Sequence, residues 1–170
     1  MFTRKNKIHK RTYKYGKIEI EFVLIKGVFI LFISETQIEV RYAETDAMQV
    51  VYHGQYVVWF EIGRTRLIKD LGFHYADMEK AGFVSPVTDI QLSYKRPFRY
   101  GEMATIRTWI QSHSGIRTTY AYEIVNETGD VCVIGSSVHT VVNKETFRPV
   151  KFKKEFPEWH AVYEKEKQGQ

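Results

Sequence analysis

Cysteine is nearly absent. Cys132 stands alone among 170 residues, so no intramolecular disulfide can form and no thiolate cluster can hold a metal. A reducing, cytoplasmic setting is expected. Cys132 lies in the apolar run Val131–Ile134, where a free cysteine acts as a small buried hydrophobe rather than as a nucleophile. Prolines number only four, and low-complexity tracts and internal repeats are missing, which argues against a disordered or repeat architecture. Long hydrophobic runs are missing too. Residues 18–33 are largely apolar, but Glu19, Glu21 and Lys26 interrupt them. The unbroken stretch Gly27–Ile33 falls far below the roughly 18 residues that a spanning helix needs. No small-residue cleavage site follows, so neither stable membrane insertion nor a secretory signal is expected. There is no Ser-His-Asp order, no phosphate-cradling glycine loop and no HExxH pattern. His53, His74, His113 and His139 show no ligand-like spacing with carboxylates, so no metal or other cofactor is expected.

What is present starts with charge. The formal net charge is +5, but from Leu31 onward 17 Lys and Arg face 18 Asp and Glu, a balance of −1, while residues 1–30 carry eight basic and two acidic side chains. A basic tail can meet phosphate backbones. The remainder offers no basic face, so nucleic acid is not an expected partner. Lys26-Gly27-Val28 can be encoded by a purine-rich stretch resembling a bacterial ribosome-binding site, which raises the expectation that translation starts near Leu31.

A chain of this length, 44% hydrophobic and 15% aromatic, suits one packed domain. The expected organisation is an N-terminal extension over 1–34, a single domain over 35–150 and a tail over 151–170. Glu35–Tyr42 alternates apolar and polar residues and predicts a half-buried strand. Ala43–Val51 reads as a connector. Tyr52–Leu71 then predicts one long helix, with Tyr56, Phe60, Gly63, Leu67 and Leu71 on one apolar face and Gly72 as its stop. Trp59 and Val57 widen that face, as suits a helix that a sheet wraps. A short helical stretch at 75–80 is followed by strands over 83–94, 103–111, 117–125 and 131–142, separated by the turn signals Tyr100-Gly101-Glu102, His113-Ser114-Gly115 and Glu127-Thr128-Gly129-Asp130. Strand, long helix, then four closely spaced strands predicts an α+β fold with an antiparallel sheet. The tail over 155–167 can form a short amphipathic helix with Phe156, Trp159 and Val162 on one side.

The connector and helix start carry Asp46, Val50-Val51 and Tyr52-His53, with Glu61 and Arg64 further along the helix. With Tyr94-Lys95-Arg96-Pro97 and Tyr100-Gly101-Glu102, this pattern resembles the 4-hydroxybenzoyl-CoA thioesterase family of hotdog proteins, in particular its bacterial short- and medium-chain acyl-CoA branch. The resemblance runs from about Ile38 to Val142. It implies a hotdog fold, with a five-stranded antiparallel sheet around one central helix, and hydrolysis of an acyl-CoA substrate in which Asp46 is nucleophile or general base. It also implies assembly as a homodimer or homotetramer. Gln49 departs from it, standing where the family usually has glycine. Should that position require positive φ, glutamine would be strained there.

Elementary chemistry supports the same reading. A thioester carbonyl needs a donor at its developing oxyanion, and the free N–H groups and partial positive charge of a helix start supply one. The His53 N–H is the candidate, with the Asp46 carboxylate seven residues earlier as the attacking group or the base. The His53 side chain can orient substrate or pass a proton to the leaving thiolate. Glu61, two helical turns on, is where another hotdog branch carries its carboxylate. Lys95, Arg96 and Arg117 are candidate contacts for CoA phosphates.

Each residue also has a plainer reading. Asp46 precedes Gln49 by three, the spacing of a capping box. Glu61 can pair with Arg64 on the same helix, Lys and Arg on strands are commonly just solvated, and His139 alternates with apolar neighbours. A domain that binds acyl-CoA or an acyl carrier protein without turning it over is the alternative function.

Overall fold

The structure, a computed structural model, describes residues 31–168 and, of the preceding segment, the backbone of two strands, β1 (His9–Tyr15) and β2 (Ile18–Leu24). The chain divides into two compact units, 1–30 and 31–170. In the first, β1 and β2 pair antiparallel, Tyr15 opposite Ile18. Residues 25–30, on which the expected start near Leu31 turns, lie outside the described residues. Among the described residues no helix is long and apolar enough to cross a membrane.

The second unit has a five-stranded antiparallel sheet formed by β3 (Ser34–Glu39), β5 (Val87–Tyr94), β6 (Met103–His113), β7 (Arg117–Val125) and β8 (Val131–Thr140), in the order β3-β6-β7-β8-β5. Two-residue strands β4 (Phe83–Val84) and β9 (Val142–Asn143) pair beside it. The run expected as one strand over 83–94 is broken because Pro86 has no N–H to donate; its carbonyl instead accepts the Thr140 N–H at 3.3 Å. The first strand ends at Glu39, short of Tyr42, because Tyr42–Glu44 tightens into a 3-10 turn.

Along β6 the inward residues Ala104, Ile106, Thr108 and Ile110 are buried, the two-residue period of a strand with one face on a core. That face meets helix α1 (Gln55–Asp70), whose buried residues Tyr56, Trp59, Phe60, Gly63 and Leu67 recur at spacings of three and four. A Cβ on Gly63 would overlap Thr108 Oγ1 and Ile106, so glycine lets the helix rest directly on β6. Phe60 stacks on Tyr122 of β7 at 4.1 Å between ring centres. The helix begins three residues later than the sequence pattern suggests: Tyr52–Gly54 form a turn closed by Gln55 N–H donating to Tyr52 O at 2.8 Å.

Arg64 does not pair with Glu61, the arrangement favoured from their spacing. It turns inward to His139 on β8, with Nη1 2.8 Å from Nε2, while Glu61 stays exposed. Burial first, then the Arg64 charge, push the His139 imidazole down to about 4, so it remains neutral at ordinary pH. Cys132 is buried, and that burial raises its thiol pKa, which keeps it from acting as a thiolate.

Three short helices close the domain: α2 (Tyr75–Lys80), α3 (Phe152–Glu155) and α4 (Pro157–Glu166). Pro157 opens α4, a position whose N–H would have no helical acceptor anyway. Phe152, Trp159 and Tyr163 enter the main core, Trp159 stacking on Phe73 at 4.8 Å. The tail is thus a structural part of the domain's packing.

Candidate active site

At the Met103 end of the sheet the chain leaves β3 and enters α1 through residues 40–54. Val40 N–H donates to Glu102 O, and Gly101 N–H returns to Val40 O. Thr45 and Val51 then form an isolated antiparallel bridge, which closes a tight loop over Asp46–Val50. Its bonds are Asp46 N–H to Val50 O and Gln49 N–H to Asp46 O, both 2.9 Å. Val51 N–H donates to Phe98 O and Tyr52 N–H to Glu44 O, each at 2.8 Å. These bonds hold Asp46 and His53 on one compact segment.

Asp46 does not cap the helix, so the capping-box reading is wrong. Its Oδ1 accepts the Met48 N–H at 2.8 Å, an aspartate turn that braces the loop. Oδ2 has no partner among the described residues. The first residue of α1 is preceded by Gly54, which has no side chain to cap the helix, and no acceptor for the His53 or Gly54 N–H occurs among the described residues. His53 is exposed; its carbonyl accepts Tyr94 O–H at 3.1 Å and its ring lies 4.2 Å from that of Tyr52. The helix start therefore presents open donors in the same loop as a half-buried carboxylate with an open oxygen, which suits attack on a carbonyl and stabilisation of its oxyanion.

Gln49 adopts φ 61, the left-handed region. The loop thus keeps the conformation that favours glycine and carries glutamine in it, with Arg99 Nη1 reaching the Gln49 carbonyl at 3.4 Å. Relief of about 1–2 kcal/mol of steric cost, less the added unfolded-state freedom of glycine, gives an expected gain of about 0.5–1 kcal/mol for Gln49→Gly. Urea unfolding of the two proteins measures it directly.

Sequence reasoning missed Glu44. This carboxylate is buried, and it accepts hydrogen bonds from Arg41 N–H and Arg41 Nη2 at 2.8 Å, Gln55 Nε2 at 2.9 Å and Trp59 Nε1 at 3.1 Å. Burial, the largest single influence, raises its pKa, but the bonds from Arg41 and Trp59 together outweigh it and hold the carboxyl below the usual range. Glu44 thereby ties the connector to the first turns of α1. Tyr56, packed against Trp59 and Tyr94, has its hydroxyl pushed up to about 12 by burial and stays neutral.

The other expected residues spread out. Glu61 lies on the exposed side of α1. Lys95 and Arg96 follow β5 beside Tyr94; both amides donate to Cys132 O, and the Arg96 guanidinium is held by Asp130 at 2.6 Å. Arg117 opens β7 at the opposite end of the sheet from Asp46, since β3 pairs Glu39 with Met103 and β7 pairs Thr118 with His113. One chain does not bring Arg117 together with Asp46.

Comparison with known proteins places this geometry in context. The profile of the thioesterase-like superfamily matches residues 40–160. The Bacillus subtilis (strain 168) protein YneP, named as a candidate acyl-CoA thioesterase, is 55% identical over 135 residues, covering 79% of this chain and 98% of its own. The acyl-CoA thioester hydrolase YbgC of Escherichia coli O157:H7 is 34% identical over 91 residues, 52% of this chain and 66% of its own. Among solved structures, the DHNA-CoA thioesterase of Staphylococcus aureus superposes with a TM-score of 0.77 at 47% identity, covering 78% of this chain and 89% of that one.

Proposed function

We propose that this chain, which belongs to the thioesterase-like superfamily of hotdog proteins, hydrolyses acyl-CoA thioesters to a free acid and CoA, with Asp46 and the start of α1 as its reacting centre. The observation that carries the reading is that an Asp46 oxygen and the His53 and Gly54 amides, all without partners among the described residues, lie on one hydrogen-bonded segment. The thioester carbonyl accepts the His53 N–H, which stabilises charge developing on oxygen. Asp46 either adds to the carbonyl carbon and expels the CoA thiolate as the C–S bond breaks, giving an anhydride that water then cleaves, or takes a proton from a water that adds. On the water route the tetrahedral intermediate collapses by breaking the C–S bond, and the proton taken by Asp46 passes to the departing CoA thiolate. The exposed His53 imidazole is a second carrier for that proton, and Glu61 is a reserve carboxylate on the same helix.

The reaction needs no metal or redox cofactor. Lys95 and Arg96, which follow β5 beside Tyr94, are the candidate contacts for the CoA phosphates, and Arg117 is the candidate supplied by a neighbouring copy. Strand β5 is an edge strand with Val87, Ile90 and Tyr94 exposed, an arrangement that favours pairing with a second copy and hence a homodimer or a homotetramer. The acyl-CoA substrate and the single buried thiol suit a cytoplasmic location.

Thiol release from acetyl-, hexanoyl-, decanoyl-, palmitoyl- and benzoyl-CoA tests the activity and ranks the acyl group. Turnover of at least one is expected. Saturable binding of these thioesters with no thiol release from any of them would instead make the domain an acyl-ligand binding module.

A further inference from the structure

At the end of the sheet remote from Asp46, about 30 Å along β6, the β6–β7 turn meets the C-terminal helix. His113, the last residue of β6, is buried, and its Nδ1 lies 2.8 Å from Thr118 Oγ1. Its Nε2 lies 2.9 Å from Nδ1 of His160 on α4. Glu164 follows His160 by four residues, one helical turn, so both project from the same face of α4. One ligand atom from each of the three side chains lies within 4.8 Å of the others. The cluster opens on a cleft of about 480 Å³, lined also by Ser114, Ile116 and Lys151. It takes no part in the chemistry at Asp46.

We propose that His113, His160 and Glu164 form a binding site for one divalent transition-metal ion of the zinc class. Two imidazole nitrogens and a carboxylate, with a fourth position open to water from the cleft, make a tetrahedral donor set suited to such an ion. Hard cations such as Mg²⁺ favour oxygen-only sets and are rejected here. Zinc–nitrogen bonds of about 2.05 Å at the tetrahedral angle separate the two nitrogens by about 3.3 Å. The rings therefore need to part by less than half an ångström. At their present separation one ring nitrogen donates its hydrogen to the other. In the metal-bound form both nitrogens face the ion, the His113 hydrogen sits on Nδ1, and Thr118 Oγ1 accepts it. Thr118 thus fixes the ligand tautomer, the usual task of an outer partner.

The surrounding cations set the strength of binding. Lys151, Lys153 and Lys167 line the cleft, and Lys167 Nζ lies 2.8 Å from Glu164 Oε2 and 3.4 Å from His113 O. These ammonium groups oppose a divalent ion, and Lys167 competes for the Glu164 carboxylate. Affinity is accordingly expected in the micromolar range, below that of closed structural zinc sites. An ion here clips α4, and through it Trp159 and Tyr163, to the end of β6.

Calorimetric titration of the chelator-treated full-length protein with Zn²⁺ tests the site, alongside the absorption spectrum of the Co²⁺-loaded form. One ion per chain, a tetrahedral Co²⁺ spectrum and no response to Mg²⁺ are expected. His160→Ala and Glu164→Gln should each weaken Zn²⁺ binding by about tenfold or more, whereas Lys167→Ala should tighten it by releasing Glu164. A purely structural cluster would not produce that last gain. The proposal is overturned if the parent protein takes up no Zn²⁺ at millimolar concentration. It is equally overturned if His160→Ala, shown folded by circular dichroism, binds as tightly as the parent.

Discussion

Asparagine in place of Asp46 should lower kcat on the best acyl-CoA substrate by about a thousandfold, within the range expected for loss of a positioned acid–base group, while the melting temperature stays close to that of the parent. The two halves of this expectation come from different oxygens. Oδ1 accepts the Met48 N–H, and an asparagine carbonyl accepts it equally well, so the loop over Asp46–Val50 keeps its brace. Oδ2, the oxygen left for chemistry, becomes an amide that can neither attack a thioester nor take a proton from water. Steady-state thiol release with a thermal melt on the same sample reads both. Near-parental turnover in a folded Asp46→Asn protein would remove Asp46 from the reaction and turn attention to Glu61. A comparable fall in turnover accompanied by a large loss of melting temperature would instead make Asp46 a structural residue. Asp46→Ala should add a modest loss of stability, since it removes the turn bond as well as the carboxylate.

The contrast between Asp46 and Glu44 shows which parts of the site can be read from the chain. Asp46 and His53 stand in a local motif, and motifs of contiguous residues survive without knowledge of the fold. The core was similarly legible, because Tyr56, Phe60, Gly63 and Leu67 share a helical face and β6 alternates, and both periods follow from backbone geometry alone. The sequence pattern starts helix α1 three residues too early because nothing local distinguishes Tyr52–Gly54 from a first helical turn; what stops it is the pairing of Tyr52 N–H with Glu44 O. Arg64 escapes the local pattern for the same reason: Glu61 offers a partner at spacing three, whereas its actual contact, His139, is 75 positions away. Likewise the pairing of His113 with His160 spans 47 positions, which no spacing rule covers. Glu44 looks like a solvated acid beside an arginine until Gln55 and Trp59, eleven and fifteen positions later, are folded over it. Its only sequence signal was an acid placed three residues after Arg41, which fits many surface turns.

Removing that carboxylate is expected to be the most destabilising single change at the site. Trp59 is fully buried, so in Glu44→Ala its Nε1–H loses its acceptor with no water to replace it, and Gln55 Nε2 is left half-buried. Each orphaned donor costs about 1–3 kcal/mol, and the sum of about 3 kcal/mol lowers the melting temperature by about 10 °C for a domain of this size. Glu44→Gln should fall between: its carbonyl can keep the Oε1 contacts to Trp59 and Gln55, but its amide then faces the Arg41 N–H, donor against donor. The order in stability is therefore parent, glutamine, alanine. Acid should reproduce part of the effect. Because the carboxyl is held below its usual range, the stability it contributes is complete above the ordinary glutamate value of about 4.3 and is lost as pH falls through the lower folded value. The slope of stability against pH in that acidic window should flatten in Glu44→Ala. Turnover should drop with it, since Glu44 O holds Tyr52 N–H next to His53, and a slack connector no longer fixes the His53 amide relative to Asp46. Glutamine should lose less turnover than alanine, whereas a residue serving stability alone would leave kcat unchanged below the melting transition in both.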